Sequence, residues 1–577
     1  MEEDKNITTY FAKTNFRNKQ TVFGIKKGDR TKHMYVIGKT GTGKTTLLEN
    51  IAVQDIRNGE GVGVIDPHGS FVEKMLDFVP KERIKDVIYI NPSDMDCPIA
   101  LNIMEDVDGT QRHLVASGLM GVFKKMWPDV WSARMEYILN NAILALLEYP
   151  NATLLGVNRM LSDKDYRKAV VDNITDPVVK AFWTQEFAKY TERFAAEATP
   201  AIQNKVGQFT ANPLIRNIIG QPKSSFDFRK AMDEKKIILM NLSKGRIGEL
   251  NSKLLGAMLV TKIYLASMSR AKDPEVKWPD FYLHVDEFQN FATESFKDIL
   301  SESRKYGLGL ILAHQYIAQM EDEGVSEAVF GNVGTHIVFR VGPADAVVLE
   351  TEFSPEFLAE NIVNLGMAHI YLKLSIDGMP SRPFSAVTLP PIKIEGESYK
   401  KEIIEASRKT YCTLQTEVTE AIAKWHEPIE RPKKEGREEE KEEPTSPKLF
   451  EAECSVCGKK TVVPFEPDGK RPIFCPKHKS YSSQGGSGKK QEEEVVKPRL
   501  PEKKEVSLLD LNKKTTGFRK DFGPTREKSS PDFKGLRELL SEITPENQTK
   551  APIREPDRSQ EERGEEKVLR PGESVRF

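Results

Sequence analysis

Residues 38–45 read Gly38-Lys39-Thr40-Gly41-Thr42-Gly43-Lys44-Thr45, the spacing of a phosphate-binding loop. Apolar residues at 33–37 predict a buried strand before the loop, and residues 46–52, from Thr46 onward, predict a helix after it. Glycines at such a turn let backbone N–H groups approach a phosphate, and the start of the helix adds positive dipole character. The stretch therefore predicts a nucleotide site, with Thr46 at its edge, rather than a plain glycine-rich turn with a surface lysine. In this site Lys44 reaches the β- and γ-phosphates and Thr45 holds Mg²⁺.

Further short apolar runs follow the loop at intervals, at residues 61–65, 237–240, 281–285 and 309–312. Helical patterns separate these runs, which predicts an α/β fold with a mainly parallel sheet covered on both faces. Between residues 110 and 225 the strand signal fades and helical periodicity takes over, so we expect an all-helical insertion there.

Composition then divides the chain. Near residue 400 a last helix leads into a segment rich in Glu, Lys and Pro that cannot bury enough apolar surface to fold. The predicted parts are an N-terminal arm (1–14), an ATPase core (15–109 and 226–395), the helical insertion (110–225), a helix and charged linker (396–449), a cysteine module (450–480), and a mostly disordered tail (481–577) with a docking helix at 532–543.

A second motif ends the apolar run 281–285 with two carboxylates, Asp286 and Glu287. Such a pair is often a solvated strand edge or a helix cap, but beside a complete phosphate loop it predicts a hydrolytic site. Asp286 is expected to bind Mg²⁺, and Glu287 to orient or deprotonate the water that attacks the γ-phosphate of ATP.

Two more polar residues follow this pair, Arg304 and Gln315. Gln315 stands just after an apolar strand, where a glutamine can hydrogen-bond the γ-phosphate or the lytic water. Arg304 could stabilise transition-state charge on the nucleotide of a neighbouring subunit. From the residues alone, the alternatives are an ordinary helix-end arginine and an ordinary loop glutamine.

Four ligand-type residues near the C-terminus form two pairs, Cys454 with Cys457 and Cys475 with His478. This spacing predicts a structural Zn²⁺ held in a zinc ribbon, in preference to free thiols on a flexible tail. Cys97 and Cys412 are interpreted as isolated core or surface residues.

The overall charge and hydropathy exclude some classes of protein. The 577 residues carry a formal net charge of -1, so DNA contact would need a local patch or a pore. Residues 254–268 predict a buried amphipathic helix, and no run is long enough to span a bilayer. Five cysteines without a disulfide framework predict a cytoplasmic protein, one that a partner could recruit to the inner face of a membrane.

Together the motifs resemble a known family. The phosphate loop, residues 64–69, 285–291 and 304–307, and Gln315 with the two residues before it are similar to the HerA and FtsK class of ring-forming ATPases. The nearest resemblance is to the conjugative coupling proteins of type IV secretion, of the TraD and TraG type, without their usual N-terminal transmembrane anchor. This resemblance implies a RecA-like core and a hexamer that pumps DNA through its pore using ATP. It also implies that Arg304 is the trans-acting finger, with Arg340 as second choice.

Three functions remain open from the sequence. The leading hypothesis is a DNA-translocating motor with a membrane secretion apparatus as partner, and the second is a protein-secretion ATPase of the same superfamily. The third is a nucleotide-switched adaptor that recruits partners through the zinc ribbon and the tail. Asp66 is expected to face the nucleotide site without a defined role, and His68 to be a structural turn residue.

Overall fold

The structure is a computed structural model that describes residues 7–15, 20–105, 107–190, 192–320, 322–428 and 449–478, with the backbone alone for residues 192–198. The chain divides into two units, Met1–Arg437 and Glu438–Phe577, which are described separately below. Residues 429–448 of the predicted linker and the whole predicted tail, with its helix at 532–543, lie outside the described residues.

The first unit is built on one large mixed sheet. Its eleven strands lie in the order β2-β1-β13-β10-β9-β3-β8-β7-β4-β6-β5. The strands of this unit are β1 Thr8–Thr14, β2 Val22–Lys26, β3 Met34–Ile37, β4 Gly61–Asp66, β5 Val87–Ile90, β6 Ile237–Asn241, β7 Phe281–Val285, β8 Leu308–His314, β9 Thr335–Val338, β10 His369–Lys373, β11 Ser375–Ile376, β12 Met379–Pro380 and β13 Phe384–Thr388.

Helices connect the strands and cover both faces of the sheet. They are α1 Lys27–Arg30, α2 Lys44–Arg57, α3 Ser70–Met75, α4 Arg112–Met126, α5 Ala133–Leu147, α6 Leu155–Ser162, α7 Lys164–Asn173, α8 Pro177–Ala181, α9 Glu192–Ala211, α10 Pro213–Ile219, α11 Phe228–Asp233, α12 Lys244–Ile247, α13 Glu249–Met268, α14 Phe296–Glu302, α15 Glu323–Asn332, α16 Pro343–Phe353, α17 Ala359–Val363, α18 Lys400–Tyr411 and α19 Gln415–Trp425.

The predicted parallel core is confirmed. All neighbouring pairs from β9 across to β5 are parallel, and the pairs from β2 to β9 are antiparallel. Successive residues of β3 pack into different cores, with Tyr35 and Ile37 on one side and Met34 and Val36 on the other. A central strand buried on both faces is uniformly apolar for this reason.

The all-helical insertion is also confirmed. Between β5 and β6 the described residues form helices α4 to α11 and no strand. Helix α13, which contains the apolar residues 254–268, packs against α4, and 14 of its 20 residues are buried. The predicted burial is thus confirmed, but the helix is apolar on nearly every side rather than amphipathic. No helix in the described part of the chain is long and apolar enough to cross a membrane.

The predicted N-terminal arm is wrong for Thr8–Thr14. These residues form β1, which pairs with β2 on one side and with β13 on the other. Phe11 and Ala12 are fully buried in this position. The partner strand Phe384–Thr388 lies at the other end of the core sequence, so no local pattern in the first residues reveals the pairing.

The interpretation of Cys97 and Cys412 as isolated residues is wrong as well. The two form a disulfide, with their Cα atoms 5.3 Å apart and a sequence separation of 315. Cys412 lies between the end of α18 and the start of α19. Its backbone forms an isolated antiparallel β-bridge with Ile99, in the loop after β5. Two helices therefore replace the predicted last helix. Because disulfides are rare in reducing compartments, this pairing removes the support that cysteine usage lent to a cytoplasmic location.

Candidate nucleotide site

The phosphate loop joins β3 to α2 at the carboxyl ends of the parallel strands. Its first glycine is tightly packed, since a Cβ atom on Gly38 would lie 2.5 Å from Cβ of Phe339. Gly43 has φ 118°, a left-handed conformation that favours glycine. The N–H of Lys39 donates to the carbonyl of Arg340 at 2.8 Å, and the N–H of Gly38 donates to that of His314 at 3.3 Å. The neighbouring strands β9 and β8 thus hold the loop in place.

Lys44 lies at the centre of this loop. Its Nζ donates to the carbonyl oxygens of Gly38 at 2.6 Å and of Lys39 at 3.2 Å. Burial lowers the pKa of Lys44, and the nearby carboxylates of Glu287 and Asp286 oppose that shift. An ammonium group held here can exchange loop carbonyls for the more negative oxygens of a phosphate.

The predicted carboxylate pair ends β7, beside the loop. Asp286 and Glu287 are both buried, and the N–H of Asp286 donates to the carbonyl of Ile65 at 3.1 Å. Burial raises the pKa of Asp286 to about 7, and the carboxylates of Glu287 and Asp66 act in the same direction. Buried carboxylates that repel one another are stabilised by a divalent cation. With the half-buried Thr45 nearby in the loop, these donors fit Mg²⁺ bound with ATP.

Glu287 is held by two glutamines. Its backbone has φ 50°, and its Oε1 accepts a hydrogen bond from Nε2 of Gln315 at 2.7 Å. The Oε1 of Gln315 accepts in turn from the hydroxyl of Thr40 at 2.9 Å. The structure therefore brings the phosphate loop, Gln315 and Glu287 into one chain of hydrogen bonds.

The second glutamine, Gln289, was missed by the sequence reasoning. Its Nε2 donates to Oε2 of Glu287 at 2.6 Å. Gln289 lies in the short 3₁₀ turn Phe288–Asn290 that follows the carboxylate pair. The only sequence signal for Gln289 was its position as a polar residue two places after the carboxylate of Glu287.

Asp66 has a structural role at the end of β4. Its Oδ1 accepts from the N–H of His68 at 2.7 Å, and its Oδ2 accepts from the N–H of Phe71 at 2.7 Å. These bonds fix the turn that leads into α3, so Asp66 serves mainly as an anchor for the turn. His68 is exposed in the same turn.

The two candidate finger arginines lie at opposite ends of the parallel strands. Arg304 is exposed in the turn Ser303–Tyr306, just before the amino end of β8, whereas the phosphate loop follows the carboxyl end of the neighbouring strand β3. Arg340 follows β9 next to the loop of its own chain, and its side chain is exposed.

The second unit contains the predicted zinc ligands. A hairpin of β14 Phe450–Glu453 and β15 Lys460–Val463 carries Cys454 and Cys457 in its turn, and Cys475 and His478 lie in a second turn. The four ligand atoms are all within 4.8 Å of one another. Sγ of Cys457 lies 3.9 Å from Sγ of Cys475, close to the ~3.8 Å edge of a tetrahedron with Zn–S bonds of about 2.3 Å.

The thiol chemistry of this cluster also suits a metal. Hydrogen bonds from backbone N–H groups lower the pKa of Cys454 to about 5. The largest effect comes from the N–H of Cys475 and the next from that of Val456. Because zinc binds thiolates, a thiol already deprotonated at neutral pH is ready to ligate the ion.

Comparisons with known proteins give the same picture. Residues 19–353 match the model of the type IV secretion-system coupling protein DNA-binding domain. Residues 448–477 match a probable treble clef zinc finger, so the predicted ribbon is better described as a treble clef with the predicted ligands. No curated protein gives a significant match.

Several solved structures resemble the chain at low identity. The plasmid coupling protein TrwB with a non-hydrolysable ATP analogue has 16% identity and a TM-score of 0.48, covering 67% of this chain and 95% of that one. The trigonal form of the conjugative coupling protein TrwB with sulphate has 15% identity and a TM-score of 0.49, and the match covers 70% of this chain and 93% of that one. VirB4 of Thermoanaerobacter pseudethanolicus has 15% identity and a TM-score of 0.44, and the match covers 68% of this chain and 98% of that one. At such scores these likenesses support no argument about activity. Because the coupling-protein model matches more than half of the chain, the protein belongs to the family of the type IV secretion-system coupling protein DNA-binding domain.

Proposed function

We propose that the protein is a Mg²⁺-dependent ATPase that works as a ring and translocates DNA. The observation that carries this proposal is the hydrogen-bonded chain from Thr40 through Gln315 to Glu287. It places a buried carboxylate beside the loop that would hold the γ-phosphate, and a glutamine that contacts both.

Each residue has a chemical task in this proposal. Lys44, Thr45 and Asp286 would hold Mg·ATP, and the ion would neutralise the charge that develops on the transferred phosphoryl group. Glu287 would accept a proton from the attacking water. Gln315 Oε1 would exchange the bond that it accepts from Thr40 for one accepted from the attacking water, and Nε2 would donate its second hydrogen to the γ-phosphate, so that Gln315 registers whether the phosphate is present.

The ring rests on the position of Arg304. Arg304 is exposed before the amino end of β8, whereas the phosphate loop of its own chain lies at the carboxyl ends of the strands, and in a closed ring it would complete the site of a neighbour. The family description names a DNA-binding domain, and the near-neutral net charge of -1 favours DNA contact in a pore over a basic outer surface. A membrane secretion apparatus is the proposed partner.

Steady-state ATP hydrolysis, measured with and without single- and double-stranded DNA, tests the proposal. We expect DNA to stimulate hydrolysis by the wild-type protein. Glu287→Gln should lower the rate of ATP hydrolysis at least about a hundredfold, while nucleotide binding persists. Glu327→Gln, a change at an exposed position of α15, is the matched control and should behave as wild type.

Other outcomes would select the alternatives. Hydrolysis that ignores DNA would point to a protein-secretion ATPase. Nucleotide binding without hydrolysis, under conditions that allow oligomers to form, would point to a nucleotide-switched adaptor.

A further inference from the structure

The residue Gln289 links the candidate catalytic carboxylate to the helical insertion. We propose that Gln289 is a positioning residue that orients Glu287, and that Lys125 of the insertion sets the position of Gln289. The inference rests on the proposed ATPase function, and it assigns to the insertion a direct influence on the hydrolysis step.

The first link in this connection is the side chain of Gln289. Each oxygen of Glu287 accepts a hydrogen bond from one amide, Oε1 from Gln315 and Oε2 from Gln289. Two donors on opposite oxygens fix the rotation of the carboxylate plane. With Gln289 gone, Glu287 would keep one donor and could rotate about its last torsion.

The second link is Lys125, in the last turn of α4. Its Nζ donates to the backbone carbonyls of both Gln289 and Ala292, in the segment that follows β7. One turn earlier on α4, Gly121 packs closely enough on this segment that a Cβ atom there would lie 3.6 Å from Cβ of Thr293. The end of α4 therefore clamps the turn that carries Gln289.

A pocket beside the clamp leaves room for movement. It has a volume of about 290 Å³ and lies between the end of α4 and the segments that follow β7 and β8, with Lys125, Gln289 and Gln319 in its lining. Gln319 supports the other glutamine, since its Oε1 accepts from the N–H of Gln315 at 3.2 Å. A shift of α4 would thus move the turn that carries Gln289, one of the two supports of Glu287.

The amide of Gln289 is only half satisfied in this arrangement. Its Oε1 is shielded from solvent and has no hydrogen-bond partner among the described residues. A buried acceptor without a partner is costly, and one that adjoins Glu287 is well placed to accept from the water that Glu287 would activate.

The test compares Gln289→Ala and Lys125→Met with a matched control, Lys124→Met. Lys124 is the exposed neighbour on the same turn, and its Nζ pairs with the Glu294 side chain at 2.7 Å rather than with the turn. We expect Gln289→Ala to lower kcat roughly tenfold and Lys125→Met roughly fivefold, since the hydrogen bonds lost are of that order. KM for ATP should stay within about twofold, and Lys124→Met should match wild type.

Further variants separate positioning from simple loss of structure. Lys125→Arg keeps donors at this place and should restore most of kcat. The double variant Lys125→Met with Gln289→Ala should be no slower than Gln289→Ala alone, because Lys125 acts through Gln289. Independent effects that multiply, or an unchanged or raised kcat in Gln289→Ala, would overturn the proposal.

Hydrogen–deuterium exchange tests the clamp without relying on turnover. Lys125→Met should speed amide exchange in residues 288–293, and Lys124→Met should not. Equal exchange in the two variants would overturn the link to the insertion. Wild-type protein that does not hydrolyse ATP would instead refute the proposed function, so the two failures are distinguishable.

Discussion

Gln315 and Glu287 are joined by a hydrogen bond of 2.7 Å, from the amide Nε2 to the carboxylate Oε1. The same amide accepts from the hydroxyl of Thr40 in the phosphate loop at 2.9 Å. One side chain at the end of β8 thus connects the loop to the carboxylate, so a phosphate that enters the loop must compete with the contact to Thr40.

Gln315→Ala should slow hydrolysis much more than it weakens nucleotide binding. The variant removes a donor from Glu287 and the candidate sensor of the γ-phosphate, while Lys44 and the loop backbone remain. We expect kcat to fall about tenfold to a hundredfold, in line with the loss of a transition-state hydrogen bond. The measurements are steady-state kcat and the Kd of a fluorescent ATP analogue.

The control for Gln315 is another glutamine far from the site. Gln221 donates to the carbonyl of Asn217 at 2.7 Å, and Gln221→Ala should leave both kcat and Kd unchanged. A Gln315→Ala protein with full kcat would show that the contact with Glu287 has no part in hydrolysis.

Mixed oligomers should reveal whether Arg304 acts in trans. Arg304→Ala and Lys44→Ala should each be inactive, the first while still binding nucleotide. In a mixture, some sites would combine the intact Lys44 of one subunit with the intact Arg304 of its neighbour. We therefore expect part of the ATPase activity to return when the two variants are allowed to exchange subunits.

The same mixing with Arg340→Ala discriminates between the two arginines. Arg340 adjoins the phosphate loop of its own chain through the bond from Lys39 at 2.8 Å. If Arg340 acts on the nucleotide of its own chain, no subunit in a mixture of Arg340→Ala and Lys44→Ala retains both Lys44 and Arg340, so no activity should return. Recovery with Arg340→Ala and none with Arg304→Ala would reverse the assignment.

Much of the core could be predicted because its signals are local. The strand before Gly38 and the strand before Asp286 are apolar on both faces, which is the pattern of parallel strands covered by helices. Because the carboxyl ends of parallel strands meet at one edge of a sheet, the residues that follow β3, β7 and β8 were expected to lie together, and they do.

The features that were missed depend on contacts between distant parts of the chain. β1 is recognisable only with its partner β13, and Cys97 becomes half of a disulfide only when the loop after β5 meets the end of α18. Apart from its place two residues after Glu287, nothing in the sequence distinguished Gln289 from other polar residues. Its place between Glu287 and Lys125 arises from the packing of the insertion onto the core, which no periodicity encodes.

Asp286→Asn should stabilise the ligand-free protein at pH 8. The pKa of Asp286 is about 7 in the folded protein and near 4 when unfolded, so the folded state binds this proton more tightly. The contribution of Asp286 to the free energy of unfolding is therefore greatest below pH 4 and falls as pH rises through 7. Asparagine does not titrate, so the variant should gain up to about 4 kcal/mol at pH 8 and progressively less toward pH 4.

Urea unfolding at pH 8 and pH 5, with and without Mg²⁺ and ATP, measures this difference. Mg²⁺ and ATP should reduce the difference in free energy of unfolding between Asp286→Asn and wild type at pH 8, because they stabilise only the protein that retains the carboxylate. Asp172→Asn, at an exposed position of α7, should have the same free energy of unfolding as wild type at either pH. An Asp286→Asn protein that is less stable than wild type at pH 8 would contradict the raised pKa.

Removal of zinc should unfold residues 449–478. Within this described segment only Cys454 and Val463 are buried apolar side chains, which is too small a core to fold by itself. We expect one zinc per chain by atomic absorption. A chelator, or Cys475→Ala, should release the metal and speed hydrogen–deuterium exchange across the hairpin of β14 and β15.

Two substitutions make this result specific to the metal. His478→Cys replaces one accepted zinc ligand with another and should keep both the metal and the slow exchange. Cys412→Ser alters a cysteine of the first unit, whose partner is Cys97, and should leave the zinc content at one per chain. Slow exchange across the hairpin after the metal is gone would mean that backbone pairing alone holds it, and the four ligands would then have no structural role.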